Sequence, residues 1–204
     1  MEGYFEMTQS NPYCEWDSRA HEWSSGGAPA LFIIGILLLA FFFFATSANR
    51  AALAPSLGLW VLAAAIPLLT LGIIDMRKGD TLFGTLGMVF GGLLGFGGGL
   101  AFLRPIFLPG PPTMDGYWFL GTSFVMILLV PPALKKSRLF AVGLADAGIA
   151  IILLGLTLGG FLGEQSWSFQ AVGYLALVFC AICFYSATAR ITNETYGRSI
   201  LPLR

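Results

Sequence analysis

Charge is scarce in this 204-residue sequence: only 11% of its residues are Asp, Glu, Lys or Arg, and the two signs balance to a net charge of zero. A soluble domain carries about a quarter charged residues, and a nucleic-acid binder needs a basic surplus; neither description fits. The one histidine, His21, lies in the polar N-terminal tail, so no apolar stretch offers an imidazole to a haem or chlorophyll. Lys78, Lys135 and Lys136 all stand between apolar stretches, which excludes a retinal Schiff base. Three cysteines, without framework spacing, imply no disulfide scaffold. The pair Cys180 and Cys183 in "CAIC" lies inside an apolar run and reads as small-residue packing rather than a redox site. A phosphate loop is missing, and "GFGGGL" lacks the strand–helix setting of a dinucleotide fingerprint. Cys14, Glu15, Asp17 and His21 follow no metal-ligand pattern and read as solvated tail. The acidic N-terminus, with Glu2, Glu6, Glu15, Asp17 and Glu22, predicts no cleaved signal peptide. These absences predict neither an enzyme, nor a cofactor, nor a metal site.

What is abundant is apolar sequence. Hydrophobic residues make up 56% of the chain, and its mean hydropathy is +0.79. Spanning about 30 Å of hydrocarbon takes about 20 apolar residues as a helix. Six segments qualify, at about 28–46, 53–74, 82–103, 116–134, 139–163 and 169–189. Runs this continuous exclude a membrane barrel, whose strands alternate. The expected fold is all-α and polytopic, with an N-terminal tail over 1–27, a six-helix domain over 28–190 and a C-terminal tail over 191–204.

The basic residues fix an expected orientation. Arg19, Arg77, Lys78, Lys135, Lys136, Arg138, Arg190, Arg198 and Arg204 fall on one side of this map, against only Arg50 and Arg104 on the other. The bias places both termini in the cytoplasm and the chain in the cytoplasmic (inner) membrane. Pro67 is expected to kink the second span, and "PGPP" (109–112) to form a stiff turn on the outer side.

Glycine is the second abundance. Gly87, Gly91, Gly95 and Gly99 recur every four residues in the third span, and Gly155, Gly159 and Gly163 do so in the fifth. A mid-helix glycine costs about 1 kcal/mol relative to alanine, but in lipid small residues let helix backbones approach closely. The ladders predict tight packing, within the protomer or between protomers, with a narrow solute path along part of the glycine face as the alternative. Asp146 stands out as the one ionisable residue inside a predicted span. Two readings stay open for it: a water-lined or proton-coupling carboxyl, or a structural one that locks helices together.

Three stretches together add a resemblance. "GAPALFIIG" (27–35), "RKGDTLFGTLGMVFG" (77–91) and "NETYGRSILP" (193–202) resemble, in this order over six helices, the acetate uptake transporter family. The last stretch is the most specific, since the family ends in a similar Asn-Glu, aromatic-Gly-Arg, Leu-Pro pattern. "KGDT" is similar to the family's Lys-Gly-Asn-Thr, and Ala28-Pro29 matches half of its first-helix signature, with Gly26-Gly27 where the family has Asn-Pro.

The resemblance implies a homohexamer of six-helix protomers, each with its own path for small carboxylates such as acetate or succinate. Proton symport and channel-like conduction are both implied, and the glycine ladder would serve close helix contacts in the hexamer. The family's constriction of three bulky residues falls by position on Gly35, Phe90 and Ala147, of which only Phe90 keeps its bulk. Pro29 and Thr85, inside the matched stretches, complete the candidate path. A channel for another small solute, neutral or cationic, is a second reading that suits Asp146 and a widened constriction. A non-conducting hexameric scaffold or accessory subunit is the third. For it, Tyr4, Phe5, Tyr13, Trp16 and Trp23 of the tail would meet a protein partner or the lipid interface.

Overall fold

The computed structural model describes residues 26–162 and 166–203. The tail residues named above, from Glu2 to Trp23, and Gly163 lie outside the described residues.

Six helices are long and apolar enough to cross a membrane, and the described residues contain no strand. They are α1 (Gly27–Thr46), α2 (Arg50–Arg77), α3 (Thr81–Phe107), α4 (Thr113–Lys136), α5 (Arg138–Leu158) and α6 (Ser166–Tyr196). Large apolar side chains such as Phe43, Trp60, Ile66 and Phe124 are more than half exposed on the outside of the bundle. Such a surface fits lipid or subunit contact, not water.

Local chemistry sets the ends. Asp80 caps α3 by accepting from the Phe83 N–H at 3.1 Å, after a turn in which Gly79 takes φ +78°. Ser137 caps α5 through the Phe140 N–H at 3.3 Å. The fifth helix stops at Leu158, earlier than hydropathy alone implies, because Gly160 adopts φ +80°, a left-handed turn that side chains resist. α6 instead runs on to Tyr196, so the C-terminal tail begins at Gly197 rather than at 191. There Asn193 holds the returning chain: its Oδ1 accepts from the Ile200 and Leu201 N–H groups at 2.7 and 3.0 Å. α2 continues through Pro55 and Pro67 and extends past residue 74. Asp75 therefore lies inside a helix and is 1% exposed, so Asp146 is not the only acidic residue within a membrane helix.

The helices close a ring in which α1 packs on α6 and α2, α5 on α6 and α4, and α3 on α2 and, more lightly, α4. The glycine ladder builds the α2–α3 seam inside the protomer. A methyl added at Gly87 would come within 2.5 Å of the Gly72 Cα, and one at Gly95 within 2.7 Å of the Ala65 Cβ. At Gly99 it would come within 2.6 Å of the Leu62 Cγ. The ladder thus packs within one chain, the first of the two alternatives its spacing allowed. The second ladder does the same between α5 and α4, where a methyl at Gly116 would meet the Gly159 Cα at 2.5 Å.

A straight seam of this kind needs help. In an α-helix a four-residue repeat drifts about 40° per step, so four glycines would wander off one face. Residues Val89–Gly97 of α3 are instead π-helical, and the wider turn, closing on the fifth residue, rotates the repeat back. The same segment receives a bond from α4, the Trp118 indole N–H donating to the Leu93 carbonyl at 3.0 Å.

Candidate functional site

Inside the ring lies a cavity of about 130 Å³, to which all six helices contribute and whose lining is entirely aliphatic, aromatic or glycine. Its lower wall, toward the helix ends that carry most of the lysines and arginines, includes Ile34, Leu68, Phe90, Ala147 and Phe179. Its upper part is narrowed by Phe41 and Phe102, whose rings lie 6.1 Å apart. Below, Phe90 tilts against Phe179, also at 6.1 Å. Under that pair, Leu31, Leu86, Phe83, Phe140 and Leu144 are each at most 4% exposed and close the floor. Phenylalanine pairs thus stand at both ends of an apolar compartment.

The candidate path residues divide. Phe90, within the π segment, and Ala147 of α5 share the cavity wall. Gly35 is buried but faces α6, where a methyl would touch the Phe184 ring at 3.2 Å and where its carbonyl accepts from the Cys180 thiol at 3.2 Å. Its neighbour Ile34 takes the place at the cavity. Pro29 is exposed in the first turn of α1, and Thr85 is half-buried on α3; neither lines the cavity.

Asp146 also stands off it. The residue is half-buried on α5, one turn beyond Gly143, which packs on Phe179 and Ile182 of α6. One carboxyl oxygen, Oδ2, is buried with no hydrogen-bond partner among the described residues.

Two polar features escape a hydropathy reading. Asp75 Oδ1 accepts the Gly26 N–H at 2.9 Å, so a carboxylate from α2 sits at the positive N-terminus of α1. A methyl on Gly26 would lie 3.3 Å from both Asp75 carboxyl oxygens and 3.0 Å from the Leu71 carbonyl, which is why a bare backbone suits this position. At the opposite end of the bundle, Arg104 binds Asp115 at 2.6 Å and the carbonyls of Leu108 and Gly110 at 3.1 and 3.2 Å, which pins the "PGPP" turn. The sequence signal for Asp75 was slight: a lone acid next to a loop that already held several charges.

These features define a class, the six-helix polytopic membrane protein with an apolar cavity between its helices. Among solved structures, that of the bacterial acetate channel SatP matches with a TM-score of 0.76, covering 89% of this chain and 99% of that one at 16% identity. The likeness is one of fold over nearly the whole bundle. No family model matches the sequence, and no curated protein does.

Proposed function

We propose that the protein is a membrane channel or proton-coupled transporter for small carboxylic acids such as acetate or succinate, with the cavity as the middle of its path. It would act as a homohexamer in the cytoplasmic membrane with both termini cytoplasmic. The observation that carries this reading is an apolar cavity shared by all six helices, in a fold like that of an acetate channel.

The lining chooses the form of the cargo. Burying an isolated carboxylate without partners costs tens of kcal/mol in an idealised low-dielectric medium, against roughly 2–7 kcal/mol for a neutral polar group. With only apolar walls, passage is cheapest when the acid carries its proton. Uptake should therefore rise as external pH falls toward the acid's own pKa, which for a carboxyl group is about 4–5.

Labelled acetate and succinate uptake into liposomes at two pH values tests the proposal. Saturable flux that is larger at the lower pH supports it. Flux no greater than in empty liposomes overturns it and favours the non-conducting scaffold.

A further inference from the structure

Under the cavity floor, two cations rest on the ring of Phe83. The Arg190 guanidinium carbon lies 4.1 Å from the ring centroid and the Lys136 ammonium 5.1 Å. Phe83 is 4% exposed and stacks on Phe140 of α5 at 5.2 Å, with 23° between the planes. Helices α3, α4, α5 and α6 thus meet at one aromatic platform.

The two cations differ in their partners. Lys136 is committed to Asp80, Nζ to Oδ2 at 2.5 Å, and the other Asp80 oxygen caps α3. Arg190 forms no ion pair with any described residue, and its Nε is buried with no hydrogen-bond partner. The acids close enough to act on its charge are Asp80, Glu194 and Asp75. Asp80 is held by Lys136, Asp75 accepts the Gly26 amide, and Glu194 is solvent-exposed one turn further along α6.

A guanidinium carries its N–H groups around the edge of one plane, and a cation–π contact through its carbon uses none of them. That edge is a fork, and a carboxylate is the planar group that accepts two parallel bonds from it. Arg190 is partly exposed at the basic end of the bundle.

We propose that Arg190, seated on Phe83, is a carboxylate-binding site that receives one carboxyl group of a small mono- or dicarboxylic acid at this end of the path. The ligand class rests on the transport reading above; the site itself rests on a partly exposed guanidinium held on Phe83 without an ion pair among the described residues. Because one fork takes one carboxylate, the site holds acetate and succinate alike, and selection between them falls to the apolar cavity.

The test uses the full chain in detergent, with labelled acetate and succinate in equilibrium binding and phenylglyoxal modification mapped by mass spectrometry. The two acids should bind with affinities within about threefold of each other, and Arg190→Gln should weaken both by about tenfold or more. Arg190→Lys, which keeps the charge but loses the fork, should weaken binding by a smaller factor. On the wild-type chain, acetate should protect Arg190 from phenylglyoxal while exposed Arg198 reacts equally with and without it. Unchanged affinity in Arg190→Gln, or an Arg190 that is unreactive or unprotected, overturns the site. The modification needs no variant, so a substitution that fails to fold does not block the answer. Liposome uptake by the same preparation separates the two proposals. Carboxylate flux without protection of Arg190 removes this site and leaves transport standing; absence of both binding and flux removes both.

Discussion

Two glycines on the same helix should respond in opposite directions to the same added methyl group. At Gly87 the methyl would lie 2.5 Å from the Gly72 Cα, 2.9 Å from the Gly72 N and 3.0 Å from the Leu68 carbonyl. All three are backbone atoms, so no side chain can swing aside and α2 itself must retreat by about 1 Å to restore a van der Waals contact. At Gly98 the methyl would lie 3.7 Å from the Phe119 ring, an ordinary contact.

Both substitutions gain about 1 kcal/mol of intrinsic helix propensity. Gly87→Ala must set that against an overpacking cost of about 1–3 kcal/mol. The cost belongs at the upper end, because the displacement is transmitted to Gly91 and Ala65 along the same seam. The expected net loss at Gly87 is about 1–2 kcal/mol, and the expected net gain at Gly98 is up to about 1 kcal/mol. The two variants should then differ by about 2–3 kcal/mol, roughly 30- to 150-fold in the folding equilibrium. Reversible unfolding of the purified chain in mixed micelles, titrated with a denaturing detergent, measures the difference. If Gly87→Ala matches the wild type, or if Gly98→Ala is destabilised equally, the α2–α3 seam is not where the ladder is used.

Other outcomes follow from the same packing. Filling the cavity with Ala147→Leu should slow acetate uptake into liposomes and slow succinate uptake more, since the larger acid needs more of the roughly 130 Å³ compartment; equal slowing would place selection elsewhere. Asp75→Ala, which orphans the buried Gly26 amide, should cost about 1–3 kcal/mol of stability in the same unfolding titration, while Asp75→Asn, which keeps an acceptor, should cost less. Arg104→Gln and Asp115→Asn should show a coupling energy of about 1–2 kcal/mol in a double-mutant cycle, because the pair is largely shielded, with 20% and 16% side-chain exposure. Native mass spectrometry in mild detergent should show six copies, and a stable monomer across several detergents would count against the hexamer. Protease applied to intact cells should leave the N-terminal tail uncut; cleavage from outside would reverse the proposed orientation.

Sequence alone determined the elements, because crossing a membrane is a local constraint. Each span must be apolar over about 20 residues and must satisfy its own backbone, so hydropathy finds six of them without knowledge of any neighbour. The four-residue spacing from Gly87 to Gly99 likewise announced that some backbone comes very close. Which backbone it is could not be read there: small residues permit approach equally to α2 or to another subunit, and only the ring order assigns the seam to Gly58, Ala65 and Gly72. The ends were less legible, since hydropathy does not register a glycine that turns left-handed at 160 or a helix that continues through polar residues to Tyr196.

The site depended most on tertiary structure. Ile34, Leu68 and Phe179 resemble dozens of other apolar residues until six helices bring them around one space. Gly35, chosen by position, is turned away from that space because a helix advances 100° per residue, and its neighbour faces the cavity in its place. Asp75 and Arg190 counted as loop charges in a linear reading. Packing is what buries the first against the α1 N-terminus and seats the second on Phe83, 107 positions away in the chain. Charge and cavity are meetings of distant segments, and a local pattern carries no record of them.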